Sequence, residues 1–238
     1  MRVALLGGTG EASELAQRLV SLPEMTVDVS LARDGGFGGV DGLAAHLRSG
    51  GYDALVDATH PFATTITAHA IAAAAATGVP LVVLRRPGWT AGDGDEWRRV
   101  PDFAAAASRL AALPGQTVFA AIGRTELAAF RAIEQHQFVL RMIETPPPEL
   151  ALPLRYHLVL QRGPFDLEAE RELLSTHRVE LVVTKDSGGS GAAAKLVAAR
   201  ERGLPVIMID RPASPVPDRV RIVETVPAAL GWLVRTAS

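Results

Sequence analysis

Two kinds of segment alternate along this chain, and the alternation occurs twice. Short runs of branched apolar residues are followed by longer alanine- and leucine-rich stretches, which predicts strands and helices in parallel βαβ units. The predicted strands are residues 3–6, 26–31, 54–57 and 81–84, and then 118–122, 138–143, 181–184 and 206–209. The predicted helices are residues 11–20, 43–47, 62–76, 103–110, 125–133, 167–175, 192–202 and 226–233. We expect an α/β protein of two related Rossmann-like domains, with mainly parallel sheets and an interdomain cleft.

The two halves also align with each other. GVPLVVLRRP at 78–87 matches GLPVIMIDRP at 203–212, and VALLGGTGE at 3–11 matches VFAAIGRTE at 118–126. Any two βαβ segments share some similarity, but matches in the same order favour an internal repeat. We therefore expect a dinucleotide-binding domain at 1–113 and a related domain at 114–238.

Composition restricts the kinds of partner. The net charge is −2 and 21% of residues are charged, without the basic patch that nucleic acid or an acidic membrane surface requires. There is no cysteine, which fits a reducing cytosol, and the apolar run at the N-terminus is too short for a signal peptide. We expect a cytoplasmic protein with a small-molecule ligand, no membrane segment and no metal; a monomer is compatible with the sequence.

Familiar catalytic motifs are missing. The sequence has no H-E-x-x-H, G-x-S-x-G or P-loop pattern, which argues against a metalloprotease, an α/β-hydrolase and a P-loop ATPase.

The first candidate motif is GGTGEAS at 7–13, which follows the first strand and opens a helix. Small residues let the backbone approach a pyrophosphate, and a helix N-terminus favours its charge. Gly7, Gly8, Thr9 and Glu11 are therefore predicted to bind a dinucleotide. A plain tight turn is the alternative, because a serine stands where the third glycine of G-x-G-x-x-G belongs.

The end of the second strand bears on the choice of cofactor. Asp28 lies inside the strand, so Ser30 and Arg33 are better placed to meet a ribose. A hydroxyl and a basic group suit the extra phosphate of NADP, whereas a carboxylate suits NAD. We expect NADPH. The alternative for Arg33 is an ordinary solvated loop residue.

The second motif is DATHPFA at 57–63, at the end of a buried strand. Burying polar groups is costly unless they form hydrogen bonds. Thr59 is predicted to contact the cofactor, and His60 to donate a proton or orient the substrate. Pro61, which is expected to start a helix, and Phe62 are predicted to contact the substrate. A capped helix with a hydrogen-bonded histidine is the alternative.

The third motif is VTKDSGGSG at 183–191, a strand that runs into a glycine-rich loop and a helix. This loop occupies the repeat position of DATHPFA and has the composition of an anion cradle. Lys185 is the second candidate proton donor, and a bound water is the third. The predicted cofactor contacts are Asp186, Ser187, Gly188 and Gly189. The alternative is a flexible surface loop.

Further candidates complete the site. Gly123 and Arg124 occupy the repeat position of the first glycine loop and are predicted to bind the cofactor. Arg85, Arg86 and Arg211 lie at strand ends beside proline. Guanidinium groups suit carboxylate recognition, so these three are predicted to bind substrate, with surface salt bridges as the alternative for each.

Together these motifs resemble the precorrin-6A reductase family of corrin (vitamin B12) biosynthesis, which includes the cobalt-precorrin-6A reductases. The resemblance spans nearly the whole chain. It rests on GGTGEA (7–12), GGFGGVDGL (35–43), DATHPFA (57–63), IGRTELAAF (122–130), RGPF (162–165) and the segment from VTKDSGG to MIDRP (183–212).

The resemblance implies an NADPH-dependent reduction of one double bond in the precorrin-6A macrocycle, giving precorrin-6B. A hydride goes from the nicotinamide to the ring, and a proton is added at the neighbouring carbon. The acetate and propionate groups of this tetrapyrrole would give the arginines anionic partners. The alternative function is a non-catalytic, two-lobed binding or sensor protein for a nucleotide or a small anion.

Overall fold

The computed structural model describes residues 1–31, 37–163 and 165–237. The strands are β1 (Arg2–Gly7), β2 (Thr26–Leu31), β3 (Ala54–Asp57), β4 (Leu81–Leu84), β5 (Trp97–Val100), β6 (Thr117–Ala121), β7 (Gln137–Met142), β8 (Tyr156–Leu160), β9 (Leu181–Lys185), β10 (Val206–Ile209) and β11 (Arg221–Val223). The helices are α1 (Gly10–Val20), α2 (Gly39–Gly50), α3 (Thr64–Thr77), α4 (Phe103–Ala111), α5 (Leu167–Thr176), α6 (Ala194–Glu201) and α7 (Val226–Ala237), with a 3₁₀ helix at Thr125–Phe130.

The chain forms two α/β units, which divide at other positions than the predicted boundary near residue 114. The first unit contains Met1–Pro87 and Pro212–Ser238, and the second contains Gly88–Arg211. The difference arises from strand pairing. β5 pairs with β10 rather than with β4, which precedes it, and β11 pairs with β4 rather than with β10. Residues 88–113 therefore belong to the second unit and residues 212–238 to the first.

The two sheets share one strand order. The first sheet has the order β11-β4-β3-β1-β2, and the second has β5-β10-β9-β6-β7-β8. Each position of the first sheet has a counterpart in the second, where β8 is an additional edge strand. All pairs among the described strands are parallel. The predicted fold class, α/β with mainly parallel Rossmann-like sheets, is confirmed, and the common order is what an internal repeat predicts.

The central strands are apolar on both faces because helices cover both faces of the sheet. In the first unit, Leu5 packs with Leu15 of α1 and Leu233 of α7 on one side. On the other side, Leu55 packs with Leu47 of α2. Each fully buried leucine contributes roughly 1.5–3 kcal/mol. This packing fixes the carboxyl ends of β1 and β3, where two of the predicted motifs begin.

Two helices differ from their predicted form. α3 begins at Thr64 rather than beside Pro61, because the Ala63 N–H donates to the His60 carbonyl over 2.7 Å and closes a turn before the helix. The helix predicted at 125–133 is a 3₁₀ helix that ends at Phe130. None of the helices in the described part of the chain has the length and apolar character to cross a membrane.

Candidate functional site

The first candidate site lies where β1 and β3 end. Chain order reverses between these neighbours, since β1 leads to β2 on one side and β3 leads to β4 on the other. Such switch points leave a crevice for ligands at the carboxyl ends of the strands. Thr9 joins the two loops there. Its Oγ1 donates to the Ala58 carbonyl over 2.8 Å and accepts the Ala12 N–H over 3.1 Å.

The loop after β1 has one position that favours glycine and leaves open space beside its backbone. Gly8 has φ +124°, a backbone conformation that residues with a Cβ avoid. A Cβ placed on Gly8 or Gly10 would project into open space, so the backbone there is exposed to a ligand. The first N–H groups of α1, at Gly10 and Glu11, have no partner within the helix. The loop therefore has space and N–H donors for an anionic group.

Asp57 organises the neighbouring turn, although it was not among the predicted site residues. It is 1% exposed. Its Oδ1 accepts the Thr59 N–H at 3.1 Å and the Thr59 hydroxyl at 2.7 Å, and its Oδ2 accepts the Thr67 hydroxyl at 2.6 Å. These partners offset the cost of burying the carboxylate. Asp57 thus fixes the turn that carries Thr59 and His60.

His60 lies in this turn with a defined ring orientation. Its Nδ1 accepts the Phe62 N–H over 3.2 Å, which assigns the proton of the neutral ring to Nε2. Protonating Nδ1 would remove the acceptor for that N–H group. The geometry therefore suits a histidine that orients a ligand through Nε2–H better than one that gives up a proton. Pro61 is buried, and the Phe62 ring lies 5.7 Å from the His60 ring.

Two of the predicted substrate-binding arginines follow β4. Arg86 pairs with Glu11, and both side chains are largely buried. The pair connects the end of β4 to the first turn of α1. Arg85 donates to the Ser214 hydroxyl over 3.4 Å, a longer contact with a neutral partner.

The residues predicted to select NADPH lie at the end of β2. Ser30 is half-buried and pairs in register with Leu6. Arg33 lies outside the described residues. Asp28 accepts hydrogen bonds from Arg2 at 2.7 Å and Tyr52 at 2.9 Å, so its carboxylate serves a contact between strands.

The equivalent switch point of the second unit lies between β6 and β9. There the Lys185 ammonium donates to Glu126 Oε1 over 2.9 Å. A Cβ at Gly123 would collide with the Glu126 carboxylate, so glycine at 123 makes room for this pair. Burial raises the pKa of Glu126, but the charge and hydrogen bond of Lys185 outweigh it and hold the pKa below its usual value. Arg124 is exposed beside them.

Glu126 was not among the predicted site residues. Its signal was present in the sequence, because VFAAIGRTE places Glu126 opposite Glu11 of VALLGGTGE. Both glutamates pair with a basic residue at the carboxyl edge of their own sheet.

Asp186, predicted to contact the cofactor, has protein partners for all its polar groups. Its N–H donates to the Ile209 carbonyl over 2.9 Å, and its carbonyl accepts from Arg211 Nε over 2.9 Å. Its carboxylate accepts the Trp89 N–H at 2.9 Å and an Arg99 N–H at 2.7 Å. Asp186 and Arg211 thus fix the start of the glycine-rich loop, a structural role that the sequence did not predict.

The rest of this loop presents backbone N–H groups. Gly188 and Gly189 have φ +65° and +72°, and Ser187 before them is half-buried. Within the described residues, the backbone N–H groups of 188–192 donate no hydrogen bond. Successive unpaired N–H groups before a helix form an anion-binding concavity. The described residues contain no group of three or more potential ligands that could hold a metal.

Comparison with known proteins decides the family. The family described as Precorrin-6x reductase CbiJ/CobK matches residues 2–234 of the chain. The chain belongs to this family. The resemblance inferred from the motifs is therefore confirmed.

Individual precorrin-6x reductases agree with this assignment. The chain is 44% identical to a precorrin-6A reductase of Rhodococcus erythropolis, covering 98% of this chain and 97% of that protein. It is 45% identical to the one from Rhodobacter capsulatus, covering 98% and 95%. A cobalt-precorrin-6A reductase of Methanothermobacter thermautotrophicus is 30% identical over 89% of this chain and 77% of that protein.

A solved structure supports the family's fold for this chain. The structure described as CobK precorrin-6A reductase has a TM-score of 0.88 and 42% identity, and the match covers 100% of this chain and 98% of that one. These comparisons do not favour the alternative of a non-catalytic binding protein.

Proposed function

We propose that the protein is an NADPH-dependent precorrin-6A reductase of cobalamin biosynthesis, which forms precorrin-6B. The observation that carries this proposal is the match, over nearly the full length of both chains, to two precorrin-6A reductases. The glycine loops, the DATHPFA turn and the basic residues at the carboxyl edges of both sheets support it.

The described residues fit a dinucleotide. The open space over Gly8 and Gly10 and the N–H groups that begin α1 suit a pyrophosphate. Within the second unit by itself, the N–H groups of 188–192 suit an anionic group. Ser30 at the end of β2 lies where a Rossmann-like unit meets the ribose. Bound NADPH would supply the hydride for the ring double bond.

Lys185 is the proposed source of the proton. Its Nζ carries N–H groups, and it lies 2.9 Å from Glu126 Oε1 at the carboxyl edge of the second sheet. His60, whose Nδ1 is occupied by the Phe62 N–H, would orient the substrate by donating from Nε2.

Arg85 is the arginine best suited to a substrate carboxylate. A carboxylate at Arg85 would compete with the Ser214 hydroxyl, whereas one at Arg86 would compete with the Glu11 carboxylate. A charge-assisted bond is stronger than one to a neutral hydroxyl, so exchange of partner is favourable at Arg85. Arg86 serves better to hold the loop after β1.

The test is NADPH oxidation followed by absorbance, with and without precorrin-6A, and repeated with NADH. We expect substrate-dependent oxidation and a preference for NADPH of about tenfold to a hundredfold in kcat/KM, the size of a charge-assisted phosphate contact. Absence of substrate-dependent oxidation contradicts the proposed reaction. Equal kcat/KM for the two cofactors contradicts the cofactor assignment alone.

A further inference from the structure

The glycine-rich loop at 186–192 rests on Trp89, which comes from a distant part of the second unit. The Trp89 indole Nε1 donates to the Gly189 carbonyl over 2.8 Å, and the Trp89 N–H donates to Asp186 Oδ1 over 2.9 Å. A Cβ at Gly88 would lie 2.7 Å from Asp186 Oδ2. Glycine at 88 therefore allows Trp89 to approach both the start and the middle of this segment.

Lys195 contacts the same loop from the first turn of α6. It is 5% exposed. Its Nζ donates to the Ala192 carbonyl over 2.6 Å and lies 4.9 Å from the centroid of the Trp89 ring. A cation is unfavourable near a helix N-terminus, and a buried charge is costly. Its contacts with the Ala192 carbonyl and the Trp89 ring are therefore what offset this cost.

The charged groups that face Lys195 leave its charge unbalanced. Glu170 of α5 and Arg141 of β7 already form a buried pair at 2.9 Å. The Lys195 ammonium adds one positive charge to this neutral pair. Burial lowers the pKa of Lys195 to about 8. The charge of Glu170 opposes this shift, and the charge of Arg141 adds to it. The ammonium form is therefore present at neutral pH and is lost in mildly alkaline solution.

The direction of the loop carbonyls determines where its N–H groups point. In a trans peptide the carbonyl and the following N–H point in opposite directions. Because the Gly189 carbonyl faces Trp89, the Ser190 N–H points away from it. We propose that Trp89 and Lys195 are positioning residues that hold the 186–192 loop so that the N–H groups of 188–192, Ser190 among them, are directed toward an anionic ligand. That the ligand is a nucleotide phosphate rests on the proposed function.

The first test needs no ligand. Subtilisin cleavage between residues 186 and 193, located by mass spectrometry, is compared for wild type, Trp89→Phe and Lys195→Met. Trp89→Phe keeps an aromatic ring and removes the N–H donor. Loss of one contact that holds the loop should raise its cleavage rate by about fivefold to tenfold. The control is Trp97→Phe, because the Trp97 Nε1 is buried without a hydrogen-bond partner among the described residues.

The second test uses NADPH as the probe. We expect both variants to raise the Kd for NADPH by about fivefold to tenfold and to leave kcat at saturating NADPH within about twofold of wild type. Wild-type affinity should weaken as the pH rises through about 8. This step should be absent from Lys195→Met and retained in Trp97→Phe.

The two tests separate the two proposals. If the wild type binds NADPH but neither variant changes loop cleavage or Kd, the positioning role is overturned and the proposed function stands. If the wild type does not bind NADPH while both variants are cleaved faster, the cofactor assignment fails and the positioning role stands. Unchanged cleavage in both variants overturns the positioning role whatever the ligand.

Discussion

The Lys185 ammonium lies 2.9 Å from the Glu126 carboxylate, and this pair occupies the switch point of the second sheet. The first unit has a related pair, in which Glu11 holds the repeat position of Glu126 and Arg86 is the cation. The partners come from different strands, since Lys185 ends β9 and Arg86 follows β4. A glutamate and a cation at the carboxyl edge are therefore common to both units, and the cation is an arginine in the first pair and a lysine in the second.

Glu126→Gln tests the strength of the Lys185 pair. At neutral pH we expect the variant to be about 1–2 kcal/mol less stable to urea, because a half-buried charge-assisted hydrogen bond is weakened. The folded pKa of Glu126 is below its ordinary value of 4.5, so its stabilisation is present above pH 4.5 and lost as the pH falls through the folded value. The difference between wild type and variant should therefore shrink in acid. Glu149→Gln, at an exposed glutamate, should show no such difference.

Lys185→Met and His60→Gln distinguish proton transfer from orientation. Loss of a proton donor should lower kcat by about 10²–10⁴-fold. Glutamine retains a donor, so His60→Gln should lower kcat/KM by about tenfold or less. The measurement is steady-state NADPH oxidation with precorrin-6A. A larger loss of kcat in His60→Gln than in Lys185→Met would reverse the two assignments.

Gly188→Ala tests the glycine-rich loop directly. At φ +65° an alanine is strained by roughly 1–2 kcal/mol, so we expect a lower melting temperature and weaker NADPH binding. Gly231→Ala in α7 is the control, since a Cβ there meets the end of the Arg235 side chain at an ordinary 3.4 Å. A folded Gly188→Ala protein with wild-type NADPH affinity and turnover would make this loop a simple surface turn.

Asp57→Asn tests the buried carboxylate at the first switch point. The two oxygens of Asp57 accept three hydrogen bonds, and in asparagine an NH₂ group, which cannot accept, replaces one oxygen. This change should lower the free energy of unfolding by about 1–3 kcal/mol. Thr67→Val removes one of these donors and should cost about 1 kcal/mol. The double variant should lose less than the sum, because the two residues share a hydrogen bond. Additive losses in urea unfolding would show that the contact at 2.6 Å carries no coupling. Thr65→Val, exposed on the same helix, is the control.

Lys195→Met should maintain or raise the free energy of unfolding at pH 7, although it removes a hydrogen-bonded side chain. The folded pKa of about 8 lies below the ordinary value of 10.5, so between these values the unfolded chain binds more protons than the folded one. Wild-type unfolding free energy should therefore rise with pH across this window, by up to about 3 kcal/mol. Methionine removes the buried charge, and the variant should be at least as stable as wild type at pH 7. The free energy of unfolding of Lys195→Met, measured in urea, should lack the rise that wild type shows between pH 8 and 10.5. A large loss of stability in this variant at pH 7 would contradict this account.

The sequence predicted the central strands well because each is buried on both faces. β3, β4 and β10 are apolar or nearly so, and begin and end where the sequence placed them. Three of the four edge strands in the two described sheets, β5, β8 and β11, were missed, whereas the edge strand β2 was predicted. β5 carries two exposed arginines, β8 carries an exposed histidine, and β11 has only 3 residues. Their strand form depends on pairing with a neighbour, which local composition does not encode.

The candidate site was predicted in part for a similar reason. The glycine loops and the DATHPFA turn are each contiguous in sequence, so local composition was sufficient to place them after β1, β3 and β9. Trp89 and Arg99, which bind Asp186, come from a segment about ninety residues earlier in the chain, and only the exchange of β5 into the second sheet brings them there. Lys195 was missed because a lysine early in a helix is ordinarily solvent-exposed.

β5 pairs in the second sheet and β11 pairs in the first. This arrangement also determines the order in which the two sheets can be completed during synthesis. Residues 88–211 make up the whole second sheet and emerge as one continuous stretch. The first sheet, although four of its strands are made earlier, keeps the edge of β4 uncovered until β11 and α7 leave the ribosome. An open apolar strand edge is a site of aberrant pairing. The first unit, although most of it is synthesised first, is therefore exposed to misfolding for longer than the second. A truncation after residue 211 would leave the second unit intact in sequence and the first permanently unfinished.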